Sequence, residues 1–291
     1  MSKQTRSSLL ALLAAAIWGS GFIAQKSGGT LGAFTFNGPR TILGGLTLIP
    51  VILILHLKED NKSTLIKGSL VCGFLLFCAT SLQQIGINYT TASKAAFITS
   101  IYAILVPIFY FVAGRRIRPL IYVSAALSLV GLYLLNMNGQ SFSFQVGDLL
   151  VLGSAVMFAL QIIAADYYSP RCQPVILSCL QFMFCGILGV ICMFIFETPH
   201  FSSMLANWQP FVYGGVCSTG MGYTLQILAQ RDGDASQVSL ILCLEAVFGA
   251  IFAALLLRER LPVANLIGCV LIFSGVILSQ LPERKKSGGE F

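Results

Sequence analysis

Residues 92–119 read ASKAAFITSIYAILVPIFYFVAGRRIRP, and residues 235–262 read ASQVSLILCLEAVFGAIFAALLLRERLP. Laid over one another without a gap, at a shift of 143 residues, they coincide at Ala92/Ala235, Ser93/Ser236, Ile98/Ile241, Ala103/Ala246, Ile108/Ile251, Phe109/Phe252, Arg115/Arg258 and Pro119/Pro262. That is eight identities in 28 positions, where apolar composition alone gives about three. Leu82-Gln83 recurs as Leu225-Gln226 at the same shift. Each segment holds a loop end, an apolar run of helix length and a basic turn closed by proline, so the two copies repeat structure as well as letters.

Outward from this pair, the whole chain reads as apolar runs separated by short polar breaks. Of its 291 residues, 56% are hydrophobic and only 10% charged, with a mean hydropathy of +0.83. A soluble domain is about a quarter charged, so a water-facing surface of this size is excluded. A helix crosses the hydrocarbon core with roughly 20 apolar residues. Ten such runs are expected, at 8–26, 34–57, 67–88, 93–113, 120–136, 147–167, 173–196, 209–229, 236–257 and 263–281. Breaks fall at Lys58–Ser63, Arg115–Pro119, Ser169–Pro174 and Arg231–Asp234, among others. Lys3 and Arg6 before the first run have the outline of a signal peptide, but the nine runs that follow favour an uncleaved first helix.

The expected fold is therefore all-α and integral to the membrane, with ten transmembrane helices. The repeat divides it into residues 1–140, spans one to five, and 141–291, spans six to ten with a short tail. Five is an odd number, so the second copy enters the membrane from the opposite side. Inverted repeats are the usual build of secondary transporters, because exchanging the conformations of two similar halves turns an outward-facing cavity inward.

Orientation follows from the basic residues. The tails and the loops on their side carry thirteen Lys and Arg, from Lys3 and Arg6 through Arg115, Arg116 and Arg118 to Arg284, Lys285 and Lys286. The other side carries four, Lys26, Lys94, Arg258 and Arg260. Positive charge concentrates on the cytoplasmic face, so both termini are expected there. The net charge of +7 thus marks topology and contact with lipid rather than nucleic acid.

Seven residues stand out inside the spans. Glu245 sits near the middle of span nine, where a carboxylate must be paired, protonated or facing a wet cavity. It reads either as a proton-coupling or amine-binding group, or as a packing acid bonded to a hydroxyl or to Arg40. Arg40 lies six residues into span two, on a face shared with Asn37 and Gly44. Its planar fork suits a substrate carboxylate, and snorkelling to the interface is the alternative. Trp18 and Phe158 occupy matching positions of the two halves, and the Trp18 indole N–H needs an acceptor. Tyr102 is placed opposite Glu245 by the repeat. Gln161, with Gln83, Gln84, Gln181 and Gln226, adds amides within hydrocarbon. Together Trp18, Asn37, Arg40, Tyr102, Phe158 and Gln161 are expected to help line a substrate cavity, with Glu245 as the coupling residue.

Other chemistry is absent from the sequence. No glycine-rich loop runs into Lys-Ser or Lys-Thr, which excludes an encoded ATP motor. The nine cysteines and two histidines show no metal-ligand spacing, so no cofactor or metal is expected. No coherent nucleophile and base mark an enzyme. A channel-like facilitator or a structural bundle remains as the alternative to a carrier.

The stretch Ala15–Lys26 (AAIWGSGFIAQK), followed by Phe34–Arg40 (FTFNGPR), resembles the start of EamA-type members of the drug/metabolite transporter superfamily. Ala235 through Leu244-Glu245-Ala246 to Leu261 is similar to that family's ninth helix and following loop. The likeness covers residues 8–281. It implies ten helices in two inverted repeats, a central cavity lined by helices one to four and six to nine, and a bacterial-type inner membrane. It also implies carriage, often export, of amino acids or other small metabolites, and it names no substrate.

Overall fold

In hydrocarbon no water is available to the backbone, so apolar runs of this length fold as helices that satisfy their own N–H and C=O groups. The computed structural model describes residues 1–28, 31–136, 145–206, 208–256 and 261–281. The helices are α1 (Lys3–Gly28), α2 (Ala33–Ile54), α3 (Lys62–Ile87), α4 (Ala92–Thr99), α5 (Tyr102–Val112), α6 (Pro119–Asn136) and α7 (Val146–Tyr168). They continue as α8 (Pro174–Phe196), α9 (Phe201–Ala206), α10 (Trp208–Val212), α11 (Thr224–Asp232), α12 (Ala235–Leu242), α13 (Leu244–Leu256) and α14 (Val263–Gln280). A π-helical stretch, Tyr213–Tyr223, joins α10 to α11. No strand occurs among the described residues.

Eight helical stretches among the described residues are long and apolar enough to cross a membrane. Two of them, Lys94–Val112 and Ala235–Phe252, run through the α4–α5 and α12–α13 pairs. The chain is a multi-pass membrane protein. The two further expected spans fall on α1 and on the unbroken run from α10 through the π-helical stretch to α11. Arg258, Arg260 and the tail cations, which entered the charge count, lie outside the described residues.

The spans expected at 93–113 and 236–257 are each bent, and at equivalent places. Thr91 caps α4 by accepting the Lys94 N–H, and Asp234 caps α12 by accepting the Gln237 N–H. The Ser100 hydroxyl bonds back to the Ala96 carbonyl at 2.8 Å, and the Cys243 thiol to the Ser239 carbonyl at 3.5 Å. Such back-bonding bends helices. The Ala103 N–H then tightens onto the Ser100 carbonyl, and the Ala246 N–H onto that of Cys243. Every one of these pairs is 143 residues apart. Tyr102 and Glu245 emerge just past the two bends.

Helix α2 packs on α8, α6 on α14, α3 on both α7 and α8, α1 on α11 and α13, and the π-helical stretch on α1 and α2. Small residues permit the closest crossings. A Cβ on Gly38 would stand 2.8 Å from the Val190 nitrogen, and one on Gly19 would stand 2.7 Å from the Glu245 carbonyl oxygen. Backbone cannot yield as a side chain can. Gly38→Ala is therefore expected to push α2 off α8 and destabilise the fold by about 1–3 kcal/mol, the usual range for overpacking. Thermal unfolding in detergent checks this, and an unchanged melting temperature would refute the close crossing.

Two glutamates tie the α2–α8 pair reciprocally. Glu197, just past α8, accepts the Phe34 and Thr35 N–H groups at the start of α2, at 3.0 and 2.7 Å. Glu59, beyond the end of α2, accepts the Gln173 N–H at the start of α8. Both complement the partial positive charge of a helix N-terminus.

Lys94 corrects an expectation. It reads as an interfacial lysine, yet it is 4% exposed and pairs with Asp148 at 3.8 Å. Asp148, in the first turn of α7, is 1% exposed and also accepts from Thr90 and the Gln145 N–H. Burying both charges together avoids the penalty of burying either alone.

Candidate functional site

A cavity enclosing about 820 Å³, its open mouth included, lies among α1–α5, α7, α10–α13 and the π-helical stretch. Its lining includes Gly21 and Phe36 from α1 and α2, Gln161 from α7, Pro210 from α10 and Gln226 from α11. Six of the seven expected residues line it: Trp18, Arg40, Tyr102, Phe158, Gln161 and Glu245.

Asn37 is not among them. It is 4% exposed and donates to the Thr80 carbonyl at 3.0 Å, tying α2 to α3. Although Asn37, Arg40 and Gly44 sit within one helical sector, α2 lies between neighbours. Asn37 turns to α3, Arg40 to the cavity, and Gly44 meets Thr219 of the π-helical stretch.

The walls are aromatic. The Trp18 and Tyr223 rings lie 4.7 Å apart, Tyr102 and Phe158 6.5 Å, and Phe182 stands 6.1 Å behind Tyr223. The Trp18 indole N–H finds its acceptor in the Ser218 carbonyl, at 3.0 Å. Gly222 makes room for that ring, since a Cβ there would strike it. The Arg40 guanidinium rides over the Phe36 ring at 4.7 Å, a cation–π contact that leaves its hydrogen-bonding fork unused.

Polar capacity is left over. Arg40 Nε, Tyr102 Oη and Gln161 Nε2 are buried without a hydrogen-bond partner. Among the described residues no carboxylate pairs with Arg40, and no cation pairs with Glu245. Buried polar groups nearly always find partners, whereas these three unmet groups, on α2, α5 and α7, line one cavity.

The cavity floor is a ladder of amides. Gln226 donates to Gln161 at 3.1 Å and to Gln230 at 3.2 Å, and Gln230 donates to the Ile162 carbonyl at 2.8 Å. These bonds join α7 to α11. Beyond the floor, Arg6 pairs with Asp232 at 3.4 Å, and Tyr110 and Arg115 both reach Asp166, at 2.5 and 3.4 Å. Gln226 is marked in the sequence as the repeat match of Gln83, whereas Tyr213, Ser218 and Tyr223 carry no such mark. They stand in the π-helical stretch, whose altered turn no propensity reveals.

No group of three or more His, Cys, Asp or Glu able to hold a metal occurs among the described residues. Outside the spans, Cys172 is the titratable thiol of note. Burial and the neighbouring Glu59 raise it to about 11, which keeps it protonated and unreactive at neutral pH.

Comparison with known proteins agrees with this architecture. A crystal structure of a protein at 18% identity superposes with a TM-score of 0.83, over 95% of this chain and 96% of the other, which shows a shared fold. An uncharacterized transporter of Archaeoglobus fulgidus is 30% identical over 92% of this chain and 84% of its own length. The uncharacterized inner membrane transporter YicL of Salmonella typhimurium is 26% identical over 99% of both chains. The EamA-like transporter family model matches twice, over residues 5–137 and 145–281. Taken with the helical membrane fold and the cavity at its centre, these matches make the chain a membrane transporter that belongs to the EamA-like transporter family.

Proposed function

We propose that the protein is a secondary transporter that moves a small polar metabolite, an amino acid or a related carboxylate, across the inner membrane by alternating access. The observation that carries this reading is the set of unmet polar groups around one aromatic cavity, Arg40, Tyr102 and Gln161, with the Glu245 carboxylate, which has no cationic partner among the described residues, on the same lining. A carboxylate matches the Arg40 fork. An ammonium or a proton matches Glu245, and the rings of Trp18, Tyr102, Phe158 and Tyr223 match an apolar or cationic side chain. One carboxylate that serves a proton and a substrate ammonium in turn couples their movements in opposite directions, which fits export driven by an inward proton gradient. The substrate and the surrounding lipid are then its partners.

The ten-span, two-repeat architecture belongs to the same reading, with halves 1–140 and 141–291 and both termini cytoplasmic. Packing supports it. Exchange of the halves maps α2–α8 and α6–α14 onto themselves. It carries α3 on α7 to α11 on α1, α3 on α8 to the π-helical stretch on α2, and α4–α5 on α7 to α12–α13 on α1, and all of these contacts are present. The matched bends and the reciprocal glutamate caps obey the same exchange.

Cells that overproduce the protein test the substrate class. Their medium should gain one or a few amino-acid-like metabolites over vector controls, and Arg40→Ala should abolish the gain. Identical metabolite profiles with and without the protein would remove the support for export.

A further inference from the structure

Resting on the alternating-access reading above, we propose that Gln181 lines the inward-facing form of the cavity, at the position that Arg40 holds in the form seen here.

The two residues are equivalent by several independent measures. Arg40 is the seventh residue after Ala33, which begins α2, and Gln181 is the seventh after Pro174, which begins α8. The helices enter the bundle from opposite ends and cap one another through Glu197 and Glu59. Each residue presses its backbone carbonyl against a glycine of the corresponding third helix of a half. A Cβ on Gly215 would stand 2.8 Å from the Arg40 oxygen, and a Cβ on Gly73 would stand 2.8 Å from the Gln181 oxygen.

Their surroundings differ in the way that alternation requires. Arg40 reaches an open cavity, whereas Gln181 is 0% exposed and both its Oε1 and its Nε2 lack a hydrogen-bond partner. An amide orphaned at both ends is disfavoured where leucine or methionine would fill the same space. Ser69, one helical turn before Gly73 on α3, is likewise buried with its hydroxyl unpaired. Both groups gain partners when the end of the bundle that carries the N-terminus opens and admits substrate and water. The outer site then grips a carboxylate by charge, while the inner site offers a neutral amide. Affinity for an anionic group is therefore weaker on the inner face.

Cysteine accessibility in sealed membrane vesicles tests this on the full-length protein, with an impermeant maleimide as the probe and the wild-type chain as the control for native cysteines. Gln181→Cys should label at least tenfold faster from the face that carries the N-terminus than from the other face. Arg40→Cys should show the reverse. Labelling of Gln181→Cys from the opposite face, or from neither, while Arg40→Cys behaves as stated, overturns this inference alone. Failure of Arg40→Cys to label from the outer face overturns the underlying cavity reading as well. Should Gln181→Cys not insert, Ser69→Cys, which changes one atom, carries the test with the same outcomes.

Discussion

Replacing Arg40 with alanine is expected to weaken substrate binding about 100-fold, and replacing it with lysine about tenfold. A charge-assisted bidentate bond to a carboxylate is worth about 3 kcal/mol in a site shielded from water, and 1.4 kcal/mol is a factor of ten. Lysine keeps the charge but offers a point donor in place of a planar fork. It also gives up stacking on Phe36, over which the guanidinium now lies at 4.7 Å. Gly214 lies beside the Arg40 Cδ, 3.3 Å from where its own Cβ would be, so the shorter, rounder ammonium leaves a gap there. Binding of the exported metabolite to purified protein, followed by quenching of the nearby Trp18, measures both losses. Equal affinity in Arg40→Lys, Arg40→Ala and the wild type would reduce Arg40 to a packing cation.

Glu245→Gln should abolish accumulation driven by a pH gradient while substrate exchange continues. Glutamine keeps the shape and much of the hydrogen bonding, and it cannot carry a proton. Glu245 lines the cavity and has no cationic partner among the described residues. The other acids of the spans are engaged elsewhere, Asp148 with Lys94 and Asp166 with Tyr110 and Arg115. Without an ATP motor, uphill movement has to draw on an ion gradient, in which the membrane potential supplies about 2.3 kcal/mol per charge per 100 mV. The measurement is substrate accumulation in liposomes with an imposed pH difference. A Glu245→Gln protein that still concentrates substrate would assign coupling elsewhere, and loss of exchange together with a lowered melting temperature would make Glu245 a packing residue.

The helices were legible because the membrane demands apolar runs of fixed length, and six cavity residues were legible because polar side chains are rare inside such runs. Spans four and nine match in sequence at eight positions, while the cap and the bend are made by different residues at equivalent places, Thr91 and Ser100 in one and Asp234 and Cys243 in the other. Features that depend on distant partners stayed hidden. Lys94 meets Asp148, 54 residues further on, so its local setting at a helix start suggested the interface. Asn37 meets a main-chain carbonyl of Thr80, which no side-chain pattern advertises. Glu59 and Glu197 fall just outside the expected spans, and capping another helix leaves no local mark. Tyr213 and Tyr223 carry no local mark, because the widened turn of the π-helical stretch re-aims side chains that an α-helical register would place differently.

The central claim is that one cavity serves both faces of the membrane in turn. Counterflow tests it most directly: purified protein in sealed liposomes loaded with unlabelled substrate and presented with a trace of labelled substrate outside, with no ion gradient. The account predicts a transient accumulation of label above equilibrium that saturates with substrate concentration. Flux that never overshoots and rises linearly with concentration would contradict alternating access and make the cavity part of a channel.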